Sequence, residues 1–430
     1  MFEFKRVYMV GIGGIGMSAL AQLLVHQGKE VSGSDREESP VTSMLAEKGI
    51  NVSIGHDKCL IPADTEFLIY SDAVPAENVE RAGAREMAIP ELSYFEALGE
   101  ISKNVRTIAV AGTHGKTTTT GMLAKILQRA GKEPMAIVGS IVKDFNSNFL
   151  PGGPDLLVVE ACEYRDHLLK LSPEILVITN VELDHTDYFP DLAALKQTFR
   201  TAAERVPAHG AIVTNPNDPI IADVIQGVSA RVDDFTQENV PALGLIGEFN
   251  RDNARAAAAA ARVAFPTLKQ SAIDDALAHF QGSWRRFEYK GETQSGALVF
   301  DDYAHHPTAI AKTIEAAREK FPGKRIIIAF HPHLYSRTRD FMGAFAKALA
   351  TADEVILAPI YAAREHSIPG ISSHALAEKV SALGTPAQAL DSLHEVYLHF
   401  SRTSHLAPRT LLITMGAGDI YKVADQIVDV

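Results

Sequence analysis

A β-branched segment at residues 105–110 leads directly into the sequence Gly112-Thr-His-Gly-Lys-Thr117, and residues 118–129 then have the composition of a helix. A short apolar run of this kind is typical of a buried parallel strand. A strand, a glycine-bearing turn and a helix start form a cradle for an anion, because backbone N–H groups and the helix dipole point at it. The segment therefore predicts a phosphate site on an α/β sheet.

Residue types within this loop predict how it binds. Lys116 can reach the outer phosphates of a nucleotide, and the Thr117 hydroxyl can ligate magnesium. The usual P-loop spacing would put its first glycine at Val110, so this shorter loop is a narrower signature. An ordinary strand-to-helix turn is the alternative. The predicted loop residues are Gly112, Thr113, His114, Gly115, Lys116, Thr117 and Thr118.

A second glycine turn follows a short apolar strand at residues 7–10. Its glycines are Gly11, Gly13, Gly14 and Gly16. A helix pattern follows, and an acid, Asp35, stands roughly 20 residues further on, which is the layout of a dinucleotide-binding fingerprint. By itself the turn indicates a nucleotide diphosphate and leaves a nicotinamide cofactor open.

Composition excludes several classes of protein. The chain has 430 residues, which favours about three domains, and a net charge of −12, which argues against nucleic acid as a partner. Two cysteines form neither a disulfide framework nor a metal cluster. The first residues have no signal-peptide layout and no segment is apolar and long enough for a membrane span, so we expect a cytoplasmic protein.

Strand and helix patterns alternate in three successive α/β segments, of which the second opens with the phosphate loop. Ligands in open α/β sheets bind beyond the carboxyl ends of the strands, so residues that follow strands are the candidates. In the second segment, Glu160 ends one predicted strand and His185 follows the next, at residues 174–180. Glu160 with Thr117 would hold magnesium against a phosphate, and His185 could complete a second site. The alternatives are a solvated acid and a packed or surface histidine.

The third segment carries further polar groups after its strands. Arg285 and Arg286 stand at its entry, where both could reach a phosphate across a cleft. The remaining candidates follow the predicted strands 298–301 and 325–330 and are Asp301, Asp302, Tyr303, His305, His306, His331, His333 and Arg337. Their spacing matches no common zinc pattern, and each could singly be a structural cap. Their repeated position at strand ends favours one shared cleft.

Taken together, these motifs resemble the Mur ligases of peptidoglycan synthesis. The residues that carry the resemblance are GIGGIGMSALA, AGTHGKTTTT, NVELDH, GEFNRDNARAAA, RRFEY, DDYAHHP, HPHLYSRT, YAAREHSIPGIS and MGAGDIY. They extend from Gly11 to Asp419, nearly the full chain. They are most similar to the branch that joins L-alanine to UDP-N-acetylmuramic acid.

The resemblance implies an α/β fold of three domains. These are a Rossmann-like UDP-sugar domain at 1–98, a central P-loop-type ATPase with a doubly wound sheet at 99–283, and a Rossmann-like amino-acid domain at 284–430. It also implies ATP and Mg²⁺ as cofactors, UDP-N-acetylmuramic acid and L-alanine as substrates, and a role in cell-wall synthesis. Monomer and homodimer both stay open.

The resemblance also implies residue roles. Lys116, Glu160, His185 and His305 are the expected catalytic residues, with Thr117, Glu160 and His185 at the metal and His305 a candidate base. Asn250 and Asn253 are expected at adenine, Arg286 at phosphates and Asp302 at ribose. The residues expected to bind the UDP-sugar are Gly11, Gly13, Gly14, Gly16, Met17, Asp35 and Ser71. Those expected near the amino acid and the acyl phosphate are Tyr303, His305, His333 and Arg337.

Several positions depart from the family pattern. Phe249 replaces a frequent histidine, Cys162 a frequent acid and Leu334 a common arginine. The lysine that sister ligases carbamoylate aligns with Phe199, so we expect no such modification, and nearby Lys196 is not a substitute for it.

Three other functions are compatible with parts of the pattern. A nicotinamide oxidoreductase is suggested by the first glycine turn alone, and a nucleotide-dependent switch by the phosphate loop alone. The nearest alternative is a ligase that recycles murein tripeptide onto the same UDP-sugar and shares the DDYAHHP type of motif.

Overall fold

The computed structural model describes residues 4–363, 365–402 and 406–428. Its first sheet is entirely parallel, with the strand order β3-β2-β1-β4-β5. The elements are β1 (Arg6–Val10), α1 (Ile15–His26), β2 (Glu30–Asp35), α2 (Pro40–Glu47), β3 (Asn51–Ile54), β4 (Phe67–Tyr70), α3 (Val79–Glu86), β5 (Glu91–Ser93) and α4 (Tyr94–Ser102). This order is that of a Rossmann-like sheet, with the glycine turn at the carboxyl end of its central strand.

The second sheet has seven strands in the order β12-β11-β10-β6-β9-β7-β8, parallel except for the hairpin β7–β8. Its elements are β6 (Arg106–Ala111), α5 (Lys116–Arg129), β7 (Met135–Val142), β8 (Ser147–Leu150), β9 (Leu156–Glu160), β10 (Ile175–Ile178), α6 (Leu192–Glu204), β11 (Ala211–Thr214), α7 (Pro219–Val224), β12 (Arg231–Asp234), α8 (Glu248–Ala264) and α9 (Gln270–Ala278). The central strands β6, β9 and β10 are mostly apolar and buried over most of their length, as a parallel sheet covered on both faces requires.

The third sheet has six strands in the order β13-β14-β18-β15-β16-β17, and only the edge strand β13 is antiparallel to its neighbour. Its elements are β13 (Glu288–Glu292), β14 (Leu298–Asp302), α10 (Pro307–Lys320), β15 (Arg325–Phe330), α11 (Tyr335–Asp340), α12 (Met342–Leu349), β16 (Glu354–Leu357), α13 (Ser373–Ala382), β17 (Ala387–Ala389), α14 (Leu393–Arg402), β18 (Thr410–Met415) and α15 (Tyr421–Val428). One apolar cluster, which includes Ile328 and Phe345, and another, which includes Val396 and Ile420, form its core.

The predicted α/β class is confirmed, and each sheet takes all its strands from one of the three predicted segments. The exact domain boundaries stay predictions. Contacts within the chain define two compact units. The first unit is Met1–Val181, Ala193–Gly244 and Asp252–Gln281, and the second unit is Glu182–Leu192, Leu245–Arg251 and Gly282–Val430. The strand predicted at 174–180 is shorter in the structure, where β10 spans Ile175–Ile178.

Within the first unit, α1 is joined to the hairpin β7–β8 by a buried network of amides and hydroxyls. The Gln22 amide donates to Asn148 Oδ1 at 2.8 Å and accepts from the Ser147 hydroxyl at 2.9 Å. The Asn148 amide donates to the carbonyl of Ile15 at 2.6 Å and to Ser18 Oγ at 2.8 Å. Because Ile15 begins α1, this network ties the helix that follows the first glycine turn to the second sheet.

In the described part of the chain, no helix combines the length and apolar character needed to cross a membrane.

We expect Asn148→Ala to lower the free energy of unfolding by about 1–3 kcal/mol, since it removes the three hydrogen bonds that the buried Asn148 amide makes with Gln22, Ile15 and Ser18. Urea unfolding followed by circular dichroism measures the change. The control is Gln128→Ala, an exposed amide on α5, which should change that free energy by less than about 0.5 kcal/mol. Equal stabilities of the two variants would contradict this account of the network.

Candidate functional site

The phosphate loop depends on two glycines in left-handed conformations. Gly112 has φ +130° and Gly115, which precedes α5, has φ +85°. A Cβ at Gly112 would collide with the Thr179 hydroxyl, and one at Gly115 with the side-chain amide of Asn253. Both positions thus require glycine for backbone conformation and for space. The backbone consequently turns from β6 into α5 with the N-terminus of the helix directly after the loop, as an anion site requires.

Lys116 begins α5, and its ammonium group is largely buried. It donates to the carbonyl of Gly112 at 2.5 Å and to Glu163 Oε1 at 3.0 Å, and the Glu163 side chain is only 1% exposed. Burial lowers the pKa of Lys116, but the charges of Glu163 and Glu160 more than offset it, so the net shift of the pKa is upward. Lys116 therefore stays a cation at the loop.

Two oxygen groups meet beside this lysine. The Thr117 hydroxyl donates to Glu160 Oε1 at 3.0 Å, and Glu160 Oε2 accepts from the N–H of Gly139 at 2.7 Å. A hydroxyl and a carboxylate at this separation match the oxygen donors that magnesium prefers, so the predicted pair Thr117 and Glu160 fits that ion chemically. The third predicted ligand, His185, belongs to the second unit.

Three further residues shape the loop and were not found from the sequence. Asn180 Oδ1 accepts from the N–H of His114 at 2.9 Å, and the Thr179 hydroxyl donates to the carbonyl of His114 at 2.6 Å. Glu163 is the third. Thr179 and Asn180 lay inside the strand predicted at 174–180 but directly follow β10 in the structure, whereas the signal for Glu163 was a second acid just past Glu160.

The residues at the end of β2 accept hydrogen bonds from the N–H groups of the first glycine turn. The carbonyl of Ser34 accepts the N–H groups of Gly11 and Ile12, and Asp35 Oδ2 accepts the N–H of Gly13 at 2.8 Å. A Cβ at Gly11 would lie 3.0 Å from Cβ of Ser71, so Ser71 and Asp35 both border the turn as expected. Met17, in the first turn of α1, is buried. These positions bring all the predicted UDP-sugar residues to one edge of the first sheet.

In the second unit, Asp302 ends β14 and is buried. Its carboxylate accepts the N–H of Ala304 at 2.7 Å and of Phe287 at 3.0 Å. Burial raises the pKa of Asp302 to about 6, against an opposing effect of the Arg286 charge. The guanidinium of Arg286 lies 5.3 Å from the centre of the Tyr303 ring. Asp302, Tyr303 and Arg286 therefore form one group.

The expectation that Arg285 reaches a phosphate is wrong. Its guanidinium is buried and donates to Asp301 at 2.8 Å and to the carbonyls of Gly416 and Gly418. Asp301 in turn accepts from the Thr414 hydroxyl at 2.6 Å. All donors of Arg285 are aimed into the third sheet because its carboxylate partner lies one residue before the end of β14. It holds the fold and leaves the adjacent Arg286 as the candidate.

Aromatic and imidazole rings surround the predicted amino-acid site. The ring of His305 lies 5.0 Å from that of Tyr303 and 6.1 Å from that of His333, which stacks on Tyr361. His305 Nδ1 donates to the carbonyl of Tyr303 at 2.8 Å, which leaves Nε2 to accept. Burial, followed by the charge of Arg337, lowers the pKa of His305 well below its ordinary value, so its ring is neutral at pH 7.

The segment that carries His185 is part of the same unit. Asp184 accepts from the buried guanidinium of Arg337, and despite its burial this partner holds the pKa of Asp184 far below its usual range. His306 Nε2 donates to the carbonyl of Leu183 at 3.1 Å. His185 itself has a left-handed φ of +53°. Arg337 is thus paired with a carboxylate of the protein, a contact that the sequence did not predict.

The two asparagines predicted at adenine fall in different units. Asn253 borders Gly115 of the phosphate loop, whereas Asn250 donates to the carbonyl of Ile246 at 2.8 Å in the second unit. Their contacts with a nucleotide stay predictions. Phe249 packs against Gly247 and is only half-buried, so its ring keeps an accessible part.

The other departures from the family pattern are structural. Burial raises the pKa of the Cys162 thiol to about 12, so this side chain stays a neutral thiol at pH 7. Leu334 is buried with a left-handed φ of +65°. Phe199 is fully buried in α6, and Lys196 forms an ion pair with Asp223.

Comparison with known proteins identifies the family of this chain. Three family models match in succession: the Mur ligase family catalytic domain at residues 6–106, the Mur ligase middle domain at 110–240, and the Mur ligase glutamate ligase domain at 285–418. Together they span most of the chain. The chain belongs to the Mur ligase family.

Individual relatives extend the similarity over the full length. The UDP-N-acetylmuramate–L-alanine ligase of Caldicellulosiruptor saccharolyticus is 37% identical, with 99% of this chain and 98% of that protein covered. The enzyme of the same name from Desulfitobacterium hafniense is 39% identical, with 98% and 99% covered. The crystal structure of UDP-N-acetylmuramate-alanine ligase MurC from Thermotoga maritima matches with a TM-score of 0.81 at 27% identity, over 99% of each chain.

We expect His331 to make stability depend on pH. Burial lowers the pKa of this histidine to about 4, whereas in the unfolded chain it is near 6.5. Between these values the unfolded chain binds the proton and the folded chain does not, so stability present above pH 6.5 is lost as the pH falls toward 4. The loss is about 3 kcal/mol at most. Urea unfolding of wild type and His331→Leu across this range should show a smaller fall in the variant, and parallel curves would refute the assignment.

Proposed function

We propose that this protein is an ATP-dependent ligase that joins L-alanine to the carboxylate of UDP-N-acetylmuramic acid, a step of peptidoglycan precursor synthesis. The observation that carries the proposal is the phosphate loop, in which the Lys116 ammonium and the Thr117–Glu160 pair lie at the N-terminus of α5. Full-length similarity to enzymes with this reaction in their names supports the choice of substrates.

The reaction has two steps. An oxygen of the muramic carboxylate attacks the γ-phosphorus of ATP, the bond from that phosphorus to the β,γ-bridging oxygen breaks, and an acyl phosphate and ADP form. The amine of L-alanine then attacks the acyl carbonyl, and inorganic phosphate leaves as the amide forms. In the first step the Lys116 charge and the N-terminus of α5 stabilise the negative charge that spreads over the transferring group.

The residues that would hold magnesium are Thr117 and Glu160, with His185 as the predicted third. When bound, the ion neutralises phosphate charge. The buried Glu163 keeps the Lys116 ammonium directed at the loop carbonyls, so that ATP meets a preset cation. The N–H of Gly139 fixes the Glu160 carboxylate from its other side.

His305 is our candidate base for the amine proton. Its Nδ1–H is engaged by the carbonyl of Tyr303, so Nε2 carries the lone pair, and the lowered pKa keeps that nitrogen unprotonated at neutral pH. Tyr303 and His333 would flank a small side chain beside it. Arg337 stays our candidate for the carboxylate of L-alanine, which it would bind through donors other than the Nη2 group that pairs with Asp184. Arg286 and Asp302 are proposed to contact the nucleotide.

Replacement of the loop lysine tests ATP use. Lys116→Ala removes a charge that acts most strongly in the transition state of phosphoryl transfer, so kcat should fall about a hundredfold or more. Phosphate release measures it, with unfolding curves to confirm the fold. The control is Lys103→Ala, an exposed lysine paired with Glu100, which should retain wild-type kcat. Wild-type turnover by Lys116→Ala would remove this lysine from the mechanism.

A substrate panel tests the proposed reaction. With ATP, Mg²⁺ and UDP-N-acetylmuramic acid, phosphate release should be fastest with L-alanine and slower with glycine or L-serine. The difference of one methyl or hydroxyl group is worth only about 1–3 kcal/mol, so some misincorporation is expected. A strong preference for L-alanyl-γ-D-glutamyl-meso-diaminopimelate would instead identify a murein-recycling ligase. Activity only with UDP-N-acetylmuramoyl-peptides would identify a later ligase, and nicotinamide-dependent turnover an oxidoreductase.

A further inference from the structure

Tyr94 lies at the first glycine turn although no motif pointed to it. It is the first residue of α4, directly after β5, and β5, β4 and β1 end in register at Ser93, Tyr70 and Val10. A Cβ at Gly16 would come within 2.7 Å of Cζ and 2.9 Å of the hydroxyl oxygen of Tyr94. The phenol therefore lies against the first turn of α1, at the edge of the sheet where the diphosphate is proposed to bind.

The ring of Tyr94 is packed, but its hydroxyl makes no hydrogen bond to the residues that the structure describes. The residue is 9% exposed, and its ring makes an edge contact with Phe95 at 4.7 Å. In the portion of the chain covered by the structure, no hydrogen bond of this hydroxyl is found. Buried phenols usually have such a partner, as Tyr8 does when it donates to Glu80 at 2.7 Å. The Tyr94 hydroxyl is thus a donor held in place and available to a ligand.

Burial and the negative charges around Tyr94 keep its phenol protonated. Burial raises the pKa of the phenol, and the negative charges of Glu160 and Asp72 raise it further. The group is a neutral donor at any physiological pH. Tyr94 contacts the first glycine turn at Gly16, and the charge of Glu160, the proposed magnesium residue, acts on its phenol.

We propose that Tyr94 is a substrate-binding residue whose hydroxyl donates a hydrogen bond to an anionic oxygen of the UDP-sugar. This inference rests on the proposed function, since it requires a sugar nucleotide on the first glycine turn. The acceptor is an oxygen of the diphosphate or of the muramic carboxylate, which share the same anionic chemistry. The contact helps to hold the end of the substrate that reacts at the phosphate loop.

The test compares Tyr94→Phe with wild type, and Tyr289→Phe serves as the control. The change removes only the hydroxyl, so the ring should still pack on Gly16 and the unfolding temperature should be unchanged. Tyr289 is half exposed in the second unit, far in sequence from any proposed UDP-sugar residue. Calorimetry measures the Kd of each protein for UDP, UDP-N-acetylglucosamine and UDP-N-acetylmuramic acid, without ATP.

We expect Tyr94→Phe to bind UDP-N-acetylmuramic acid about tenfold more weakly, with an equal rise in its KM and with the KM for ATP unchanged. Tenfold loss with all three ligands places the acceptor on the diphosphate, and loss with UDP-N-acetylmuramic acid alone places it on the carboxylate. Either result supports the proposal. Equal Kd values for Tyr94→Phe and wild type with every ligand overturn it while the proposed function stands. Wild type that binds none of the three would overturn both.

Discussion

The register of the parallel strands is the constraint on which the phosphate site depends. In the second sheet Val110 of β6 pairs with Glu160 of β9 on one side, and Ala111 pairs with Ile178 of β10 on the other. Residues that directly follow β6 and β10 therefore meet Glu160 at one edge. A shift of one residue in the pairing of β6 with β9 would turn the side chain of Glu160 to the opposite face and separate it from Thr117.

Once the register is set, the glycines and the buried charges determine what the edge can do. Gly112 and Gly115 let the backbone turn back over the sheet, and the space that they leave is filled by Thr179 and Asn253. The pair Lys116–Glu163 is nearly buried, and each charge is tolerated only because the other is present. In the loop that would bind ATP, the charge of Lys116 is thus neutralised by a carboxylate of the protein itself.

The third sheet follows the same principle with different chemistry. Asp302 of β14 and Phe330 of β15 both pair with Met415 of β18, so the segments after these strands emerge side by side. This register brings the Tyr303–His305 segment to His333 and brings Gly416 to the buried guanidinium of Arg285. Of the two adjacent arginines, Arg285 is committed to the fold because it donates to the carboxylate of Asp301.

The sequence by itself determined the α/β class, the alternation of strands with helices and the two glycine turns, because apolar periodicity and glycine placement are local properties. It also marked Lys116 and Thr117, which follow the glycine loop, and Glu160 and Asp302, which end strands. Only the tertiary structure decided the partners. Glu163 for Lys116, Asp184 for Arg337 and Asp301 for Arg285 come from other parts of the chain. Such pairings depend on strand order and register, which long-range packing fixes and no local pattern encodes.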